Sequence, residues 1–169
     1  FVFFCERFIK IKPPTPIMEP KTKDLLLKIM IGLNLAAFIT SIYLTFNHYN
    51  ILSKGAVCDG TSLFSCSLVN TSVYSELLGI PVALYGAAWF AFLSILSWKA
   101  RHKESLIPKI LLLNAIGFAY VLYLIYLEFV LRTLCPFCTV VHVLATASLV
   151  LSVFLYKGKF YKQELPPLP

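Results

Sequence analysis

The sequence predicts an all-α integral membrane protein: a four-transmembrane-helix bundle with an exterior cap built from a loop and a short helix. Three observations lead there. Of 169 residues, 59% are hydrophobic and only 14% are charged, against about 25% charge in an ordinary soluble domain. The apolar residues fall in four runs, each long enough to cross a hydrocarbon core of about 30 Å at about 1.5 Å per helical residue. The net charge of +7 sits mostly in segments that alternate along the chain, so it reads as a topology signal before it reads as a nucleic-acid surface.

Residues 1–23 form a basic N-terminal arm in which Arg7, Lys10, Lys12, Lys21 and Lys23 alternate with prolines. Its apolar residues precede its basic ones, the reverse of a signal peptide. Cys5 lies here and is expected to be functionally silent. The first span is expected at about 25–46, with Asp24 as N-cap and Lys28 snorkelling to the near interface. Asn34 is its one clearly polar residue and suits a helix–helix hydrogen bond.

Residues 48–80 form a longer, more polar connection, the expected cap. It holds Cys58-Asp59-Gly60-Thr61 and Ser65-Cys66-Ser67. The Gly, Asp, Ser and Thr content marks turns. A short surface helix is expected over 70–78, with Leu77 and Leu78 dipping toward lipid. Asn70-Thr71-Ser72 matches a glycosylation sequon, a pattern common by chance.

The second span is expected at about 81–98, opened by Pro81, and a basic turn over 99–104 follows it. The third is expected at about 106–131. Tyr120, Tyr123 and Tyr126 recur in it at a spacing suited to an interfacial belt or packing stripe, with an aromatic-ligand cavity as the other reading. Asn114 suits packing. Glu128 and Arg132 stand i,i+4 and are expected to pair. The fourth span is expected at about 135–156, so residues 24–156 form one membrane domain. Residues 157–169 form a basic, proline-rich tail.

The positive residues gather in the N-terminal arm, the 99–104 turn and the C-terminal tail. The positive-inside rule then places both termini and that turn in the cytoplasm. Cys58, Cys66, Cys135 and Cys138 all land at the opposite, exterior face, where disulfides persist.

Cys135-Pro136-Phe137-Cys138 is a C-x-x-C pair where α-helical sequence begins. The first sulfur of such a pair sits among unpaired helix N–H groups, which favour a thiolate, the form that attacks disulfides. Pro136 suits the first helical turn. Two thiol pairs on one face can relay electrons by exchange through mixed disulfides. A loop pair (Cys58, Cys66) would reach an outside partner, and a fixed pair (Cys135, Cys138) would sit beside the bilayer. The two-electron oxidant available there is a lipid-soluble quinone, in a pocket of the bundle core beside Cys138. A metal site fits poorly, because Cys58 and Cys66 lack knuckle spacing and an oxidising face disfavours free thiolates.

A loop Cys-x7-Cys, Ser72 six residues after the second cysteine, Gly79-Ile80-Pro81-Val82 opening a span, and C-x-x-C heading the last of four helices together resemble the vitamin K epoxide reductase family. The resemblance covers roughly 25–156 and is closest to the prokaryotic members. It implies an enzyme that oxidises a thioredoxin-like, DsbA-like dithiol protein and reduces a membrane quinone (ubiquinone, menaquinone or phylloquinone) without a metal, in a bacterial or archaeal plasma membrane. It assigns Cys58 to exchange with the partner. Cys66 attacks, or is attacked by, Cys135, and Cys138 faces the quinone. Ser72 caps the quinone site or holds the loop. His142 stands where the vertebrate enzyme has a substrate-contacting tyrosine, so its imidazole either bonds a quinone carbonyl or packs between helices. Val82 or Ala83 falls where vertebrate members have a substrate-contacting asparagine, a departure that favours plain quinone reduction over epoxide reduction. Two other readings are a DsbB-type quinone reductase of unrelated fold, whose C-x-x-C comes earlier in the chain, and a membrane protein with purely structural disulfides. Redox lability of the cysteine pairs separates the last from the rest.

Overall fold

Four long helices dominate the computed structural model, which describes residues 19–54, 59 and 64–163. They are α1 (Pro20–Lys54), α3 (Val82–Ala100), α4 (Ile107–Leu131) and α5 (Pro136–Gln163). All four are long and apolar enough to cross a membrane. The protein is thus a four-helix membrane bundle. Its α1 packs along α3 and α5, and α4 packs along α5. Helices α3 and α4 follow one another in the chain yet touch only sparsely, which leaves room between them.

At one end, ion pairs hold the start of α1 to the turn between α3 and α4. Lys23 lies 2.8 Å from Glu104, and Asp24 lies 2.7 Å from Arg101 and 2.8 Å from Lys28. Asp24 is therefore not the helix cap: α1 begins at Pro20, and the carboxylate is used by a guanidinium 77 residues away. Such solvent-screened pairs set geometry more than stability. Leu27, Met30, Ala100, Ile107, Ile110 and Leu155 form the core at this end.

The cap lies at the other end. It comprises α2 (Cys66–Asn70), a 3-10 turn (Val73–Ser75) and a hairpin of β1 (Glu76–Leu77) and β2 (Ile80–Pro81). Glu76 stands opposite Pro81 and Leu77 opposite Ile80. The single short helix expected over 70–78 is replaced by the end of α2, the 3-10 turn and β1. Leu78 (φ 57°) and Gly79 (φ 76°) are both left-handed, as a two-residue hairpin turn of the primed type requires. That conformation is easy for glycine and costly for leucine.

Three contacts seat the cap on the end of α1. Asn70 donates from Nδ2 to the Leu44 carbonyl at 3.0 Å. His48 places Nδ1 2.6 Å from the Asn70 carbonyl and Nε2 3.0 Å from Glu76.

The two inner asparagines behave differently. Asn114 donates to the Ile110 carbonyl of its own helix at 3.1 Å. Asn34, 1% exposed, bonds through neither amide atom among the described residues. Asn34 thus lacks the expected helix–helix bond, whereas Asn114 is buried, as a packing residue would be.

Candidate functional site

Cys66 and Cys135 are brought together by backbone before side chains are considered. An isolated parallel bridge joins Phe64 to Leu134, and the Ser65 N–H donates to the Leu134 carbonyl at 3.2 Å. The chain can reach that bridge because α4 ends abruptly. Arg132 takes a left-handed conformation (φ 52°), and the Arg132 and Thr133 N–H groups bond back to the Phe129 and Glu128 carbonyls. The same turn rotates Arg132 out of helical register. Arg132 is exposed and no Glu128–Arg132 ion pair forms among the described residues.

Each of the two cysteines then stands at a helix start. Cys66 is the first residue of α2, and Cys135 immediately precedes Pro136 at the start of α5. Both are 0% exposed and pack with Leu44, Ala83, Phe137 and Val141. The Cys135 thiol donates to the Cys66 sulfur at a distance of 3.5 Å. Cys66 is disulfide-bonded, whereas Cys135 and Cys138 are free thiols. Cys58 and Cys5 lie outside the described residues.

Cys135 is electrostatically prepared as a nucleophile. The Cys138 N–H donates to its sulfur at 3.2 Å, from the first turn of α5. The Cys138 thiol, more than any other group, holds the Cys135 thiol below the ordinary thiol range, with the Cys138 and Phe137 N–H groups adding to it. Burial and the Glu128 carboxyl oppose this without reversing it. The Cys135 carbonyl accepts from both N–H and Oγ of Thr139. Tyr43 of α1 packs on Phe137 with ring centroids 5.0 Å apart. Together these contacts fix the first turn of α5.

Asp59 steadies the Cys66 side. Its Oδ1 accepts from Ser65 Oγ at 2.8 Å and from the Ser67 N–H at 3.0 Å, and its Oδ2 accepts from Ser67 Oγ. Ser65 in turn caps α2 through the Leu68 N–H. The carboxylate thereby clamps both neighbours of Cys66. In the sequence Asp59 reads only as a turn former; its position beside Cys58 is the signal that could have marked it.

A cavity of about 330 Å³ opens beside Cys138. It runs from the cap between α3, α4 and α5, and its walls are predominantly apolar. Ser72, Val82, Ala83 and His142, all expected at a quinone site, line it together with Cys138. Ser72 donates its hydroxyl to the Val69 carbonyl at 2.9 Å, so the side chain holds the loop while lining the cavity. Tyr120 lines it too, whereas Tyr123 and Tyr126 stay on the exposed face. Trp89 and Gly117, which carry no signal in the sequence, line it as well, and so does Glu128, expected instead to pair with Arg132. Gly117 leaves space for the Trp89 indole, since a Cβ there would stand 2.9 Å from Nε1. Ile116, Tyr120 and Tyr85 line the cavity and are also exposed, so it reaches the outer, lipid-level surface. An apolar slot with a sulfur at one end suits a ring with a hydrocarbon tail. Among the described residues, no cluster of His, Cys, Asp and Glu could hold a metal ion.

Residues 28–153, most of the chain, match the sequence model of the vitamin K epoxide reductase family. The matched stretch runs from α1 into α5 and contains every site residue described above.

Proposed function

The chain belongs to the vitamin K epoxide reductase family, and from that premise we propose that it oxidises a thioredoxin-like dithiol protein and reduces a membrane quinone. Family membership implies a membrane thiol–disulfide oxidoreductase linked to a quinone. The relay within this chain is our reading. The observation that carries it is the 3.5 Å separation between the Cys66 and Cys135 sulfurs.

In this reading Cys58 and Cys66 form the outer disulfide. The partner's thiolate attacks Cys58, a mixed disulfide forms, and the partner leaves oxidised with Cys58 and Cys66 reduced. The Cys66 thiolate then attacks Cys135 of an oxidised Cys135–Cys138 pair, and Cys138 leaves as thiolate. Cys58 closes back onto Cys66, and Cys135 is released. Each step exchanges one S–S bond for another. The product has Cys66 in a disulfide and Cys135 and Cys138 as thiols, the arrangement in the structure. The inner dithiol then closes to a disulfide, and its two electrons and two protons reduce the quinone to quinol.

Cys138 would face the quinone ring, with Ser72, Val82, Ala83 and His142 around it. The tail would leave past Ile116 and Tyr120 toward lipid. The acceptor is of the ubiquinone, menaquinone or phylloquinone type, and neither metal nor nucleic acid takes part. The cap would face the exterior of a bacterial or archaeal plasma membrane, because Lys23, Lys28, Lys99, Arg101 and Lys103 gather at the opposite end. Two free thiols at Cys135 and Cys138 argue against purely structural disulfides.

The test is quinone reduction by the purified protein, driven by a reduced thioredoxin-like protein or by dithiothreitol. Cys58→Ala should lose turnover with the protein reductant and keep it with dithiothreitol. Cys138→Ala should be inactive with both. Wild-type turnover in both variants would overturn the reading.

A further inference from the structure

Glu128 stands out among the cavity residues. It is 4% exposed, and its Oε1 has no hydrogen-bond partner among the described residues. It lines the same cavity as Cys138 and His142. The Cys135 backbone N–H is directed at its carboxyl group, which places the acid beside the first cysteine as well. Arg132, the nearest cation in sequence, is exposed and makes no ion pair with it. No other Asp or Glu, and no Lys or Arg, lines this cavity among the described residues. An unneutralised carboxyl inside a membrane bundle is costly, and such groups usually mark a path for protons or ions.

We propose that Glu128 is the proton carrier between the Cys135–Cys138 dithiol and the quinone bound beside it. The proposal rests on the quinone-reductase reading given above. Closing the inner disulfide breaks two S–H bonds and forms one S–S bond. The quinone gains two electrons, two O–H bonds form, and the count balances with no further reactant. Glu128 takes the proton leaving Cys135 and delivers it to the quinone oxygen on its side of the cavity. The Cys138 proton goes to the other oxygen. The carboxyl group must be ionised when Cys135 gives up its proton, so turnover falls as pH falls through the ionisation of Glu128. The other titratable groups at the cavity are Cys135, Cys138 and His142 from the α5 segment, Tyr120 on α4, Tyr85 on α3 and Tyr74 in the cap.

Glu128→Gln keeps size and hydrogen-bonding capacity but carries no exchangeable acid proton. With a short-chain ubiquinone and dithiothreitol, its kcat should fall about a hundredfold, the low end for general acid–base catalysis. The acid limb of its kcat–pH profile should disappear. Glu128→Asp should recover part of the rate together with that limb, and His142→Gln should retain the limb. Reduction of the Cys66 disulfide by dithiothreitol, which needs no quinone, should proceed at the wild-type rate in Glu128→Gln, showing that the variant is folded. Wild-type turnover with an intact acid limb in Glu128→Gln would overturn the proposal. So would a loss of turnover that leaves the limb unchanged, since Glu128 would then serve packing alone. Failure of the wild-type protein itself to reduce quinone would instead overturn the underlying functional reading.

Discussion

The Cys135 sulfur lies 3.5 Å from the Cys66 sulfur although 69 residues separate them in sequence. One backbone bridge, Phe64 to Leu134, and the left-handed turn at Arg132 account for the meeting. The distance is short enough for attack of one sulfur on the other after small side-chain motion. Both sulfurs are buried, so the direct transfer takes place out of bulk water.

The ionisation of Cys135 has a signature of its own. In the fully reduced protein, its alkylation by iodoacetamide should show a midpoint below about 8.5, the ordinary thiol value. Removing the main cause, in Cys138→Ala, should move the midpoint upward. The linkage has a definite sign. A thiol favoured as thiolate by the fold adds stability above its unfolded titration, and that stability is lost as pH falls through the folded one. Reduced wild-type protein should therefore lose Tm toward acid pH more steeply than reduced Cys135→Ser. Equal slopes would contradict this.

Asp59→Asn should loosen the outer site while sparing the inner one. It weakens charge-assisted bonds to Ser65 and Ser67 at an exposed position, a cost of about 1 kcal/mol. Turnover driven by the protein partner should drop severalfold, while dithiothreitol-driven quinone reduction stays at the wild-type rate. A parallel loss of both would place Asp59 in overall folding instead.

Gly117→Ala should narrow the cavity. The new Cβ would stand 2.9 Å from Trp89 Nε1, so the indole must shift into the space beside it. Overpacking of this kind costs about 1–3 kcal/mol. If about 1 kcal/mol of it falls on quinone binding, KM for the quinone rises roughly fivefold. Steady-state kinetics at saturating reductant would measure it, and an unchanged KM would exclude Gly117 from the quinone path.

Much of this arrangement was legible in the residues. Four apolar runs gave the bundle, and C-x-x-C followed by a helix placed Cys135 at a helix start. What stayed hidden depended on contacts far apart in sequence or on single backbone angles. Asp24 reads as a cap until Arg101, 77 residues away, is seen to use it. Residues 70–78 read as one short surface helix, yet a 3-10 turn forms at Val73–Ser75 and the positive φ of Leu78 and Gly79 turns Glu76–Pro81 into a hairpin. Glu128 and Arg132 have the spacing of a helical ion pair, but the helix ends between them and one turns outward while the other stays in the cavity. Spacing rules presume that the helix continues, and nothing in the local sequence announces where it stops.

The most direct test of the relay is a trapped disulfide. In Cys138→Ala the Cys135 thiol has no partner to close onto, and it faces the Cys66 disulfide at 3.5 Å. Attack should form a Cys66–Cys135 bond that cannot pass to Cys138. Non-reducing peptide mass spectrometry of that variant should find the Cys66–Cys135 cross-link as the main disulfide species. It should be missing when Cys135 is also replaced by serine. A Cys138→Ala protein in which Cys66 remains bonded elsewhere, with Cys135 free under every redox condition, would contradict transfer between these two sulfurs.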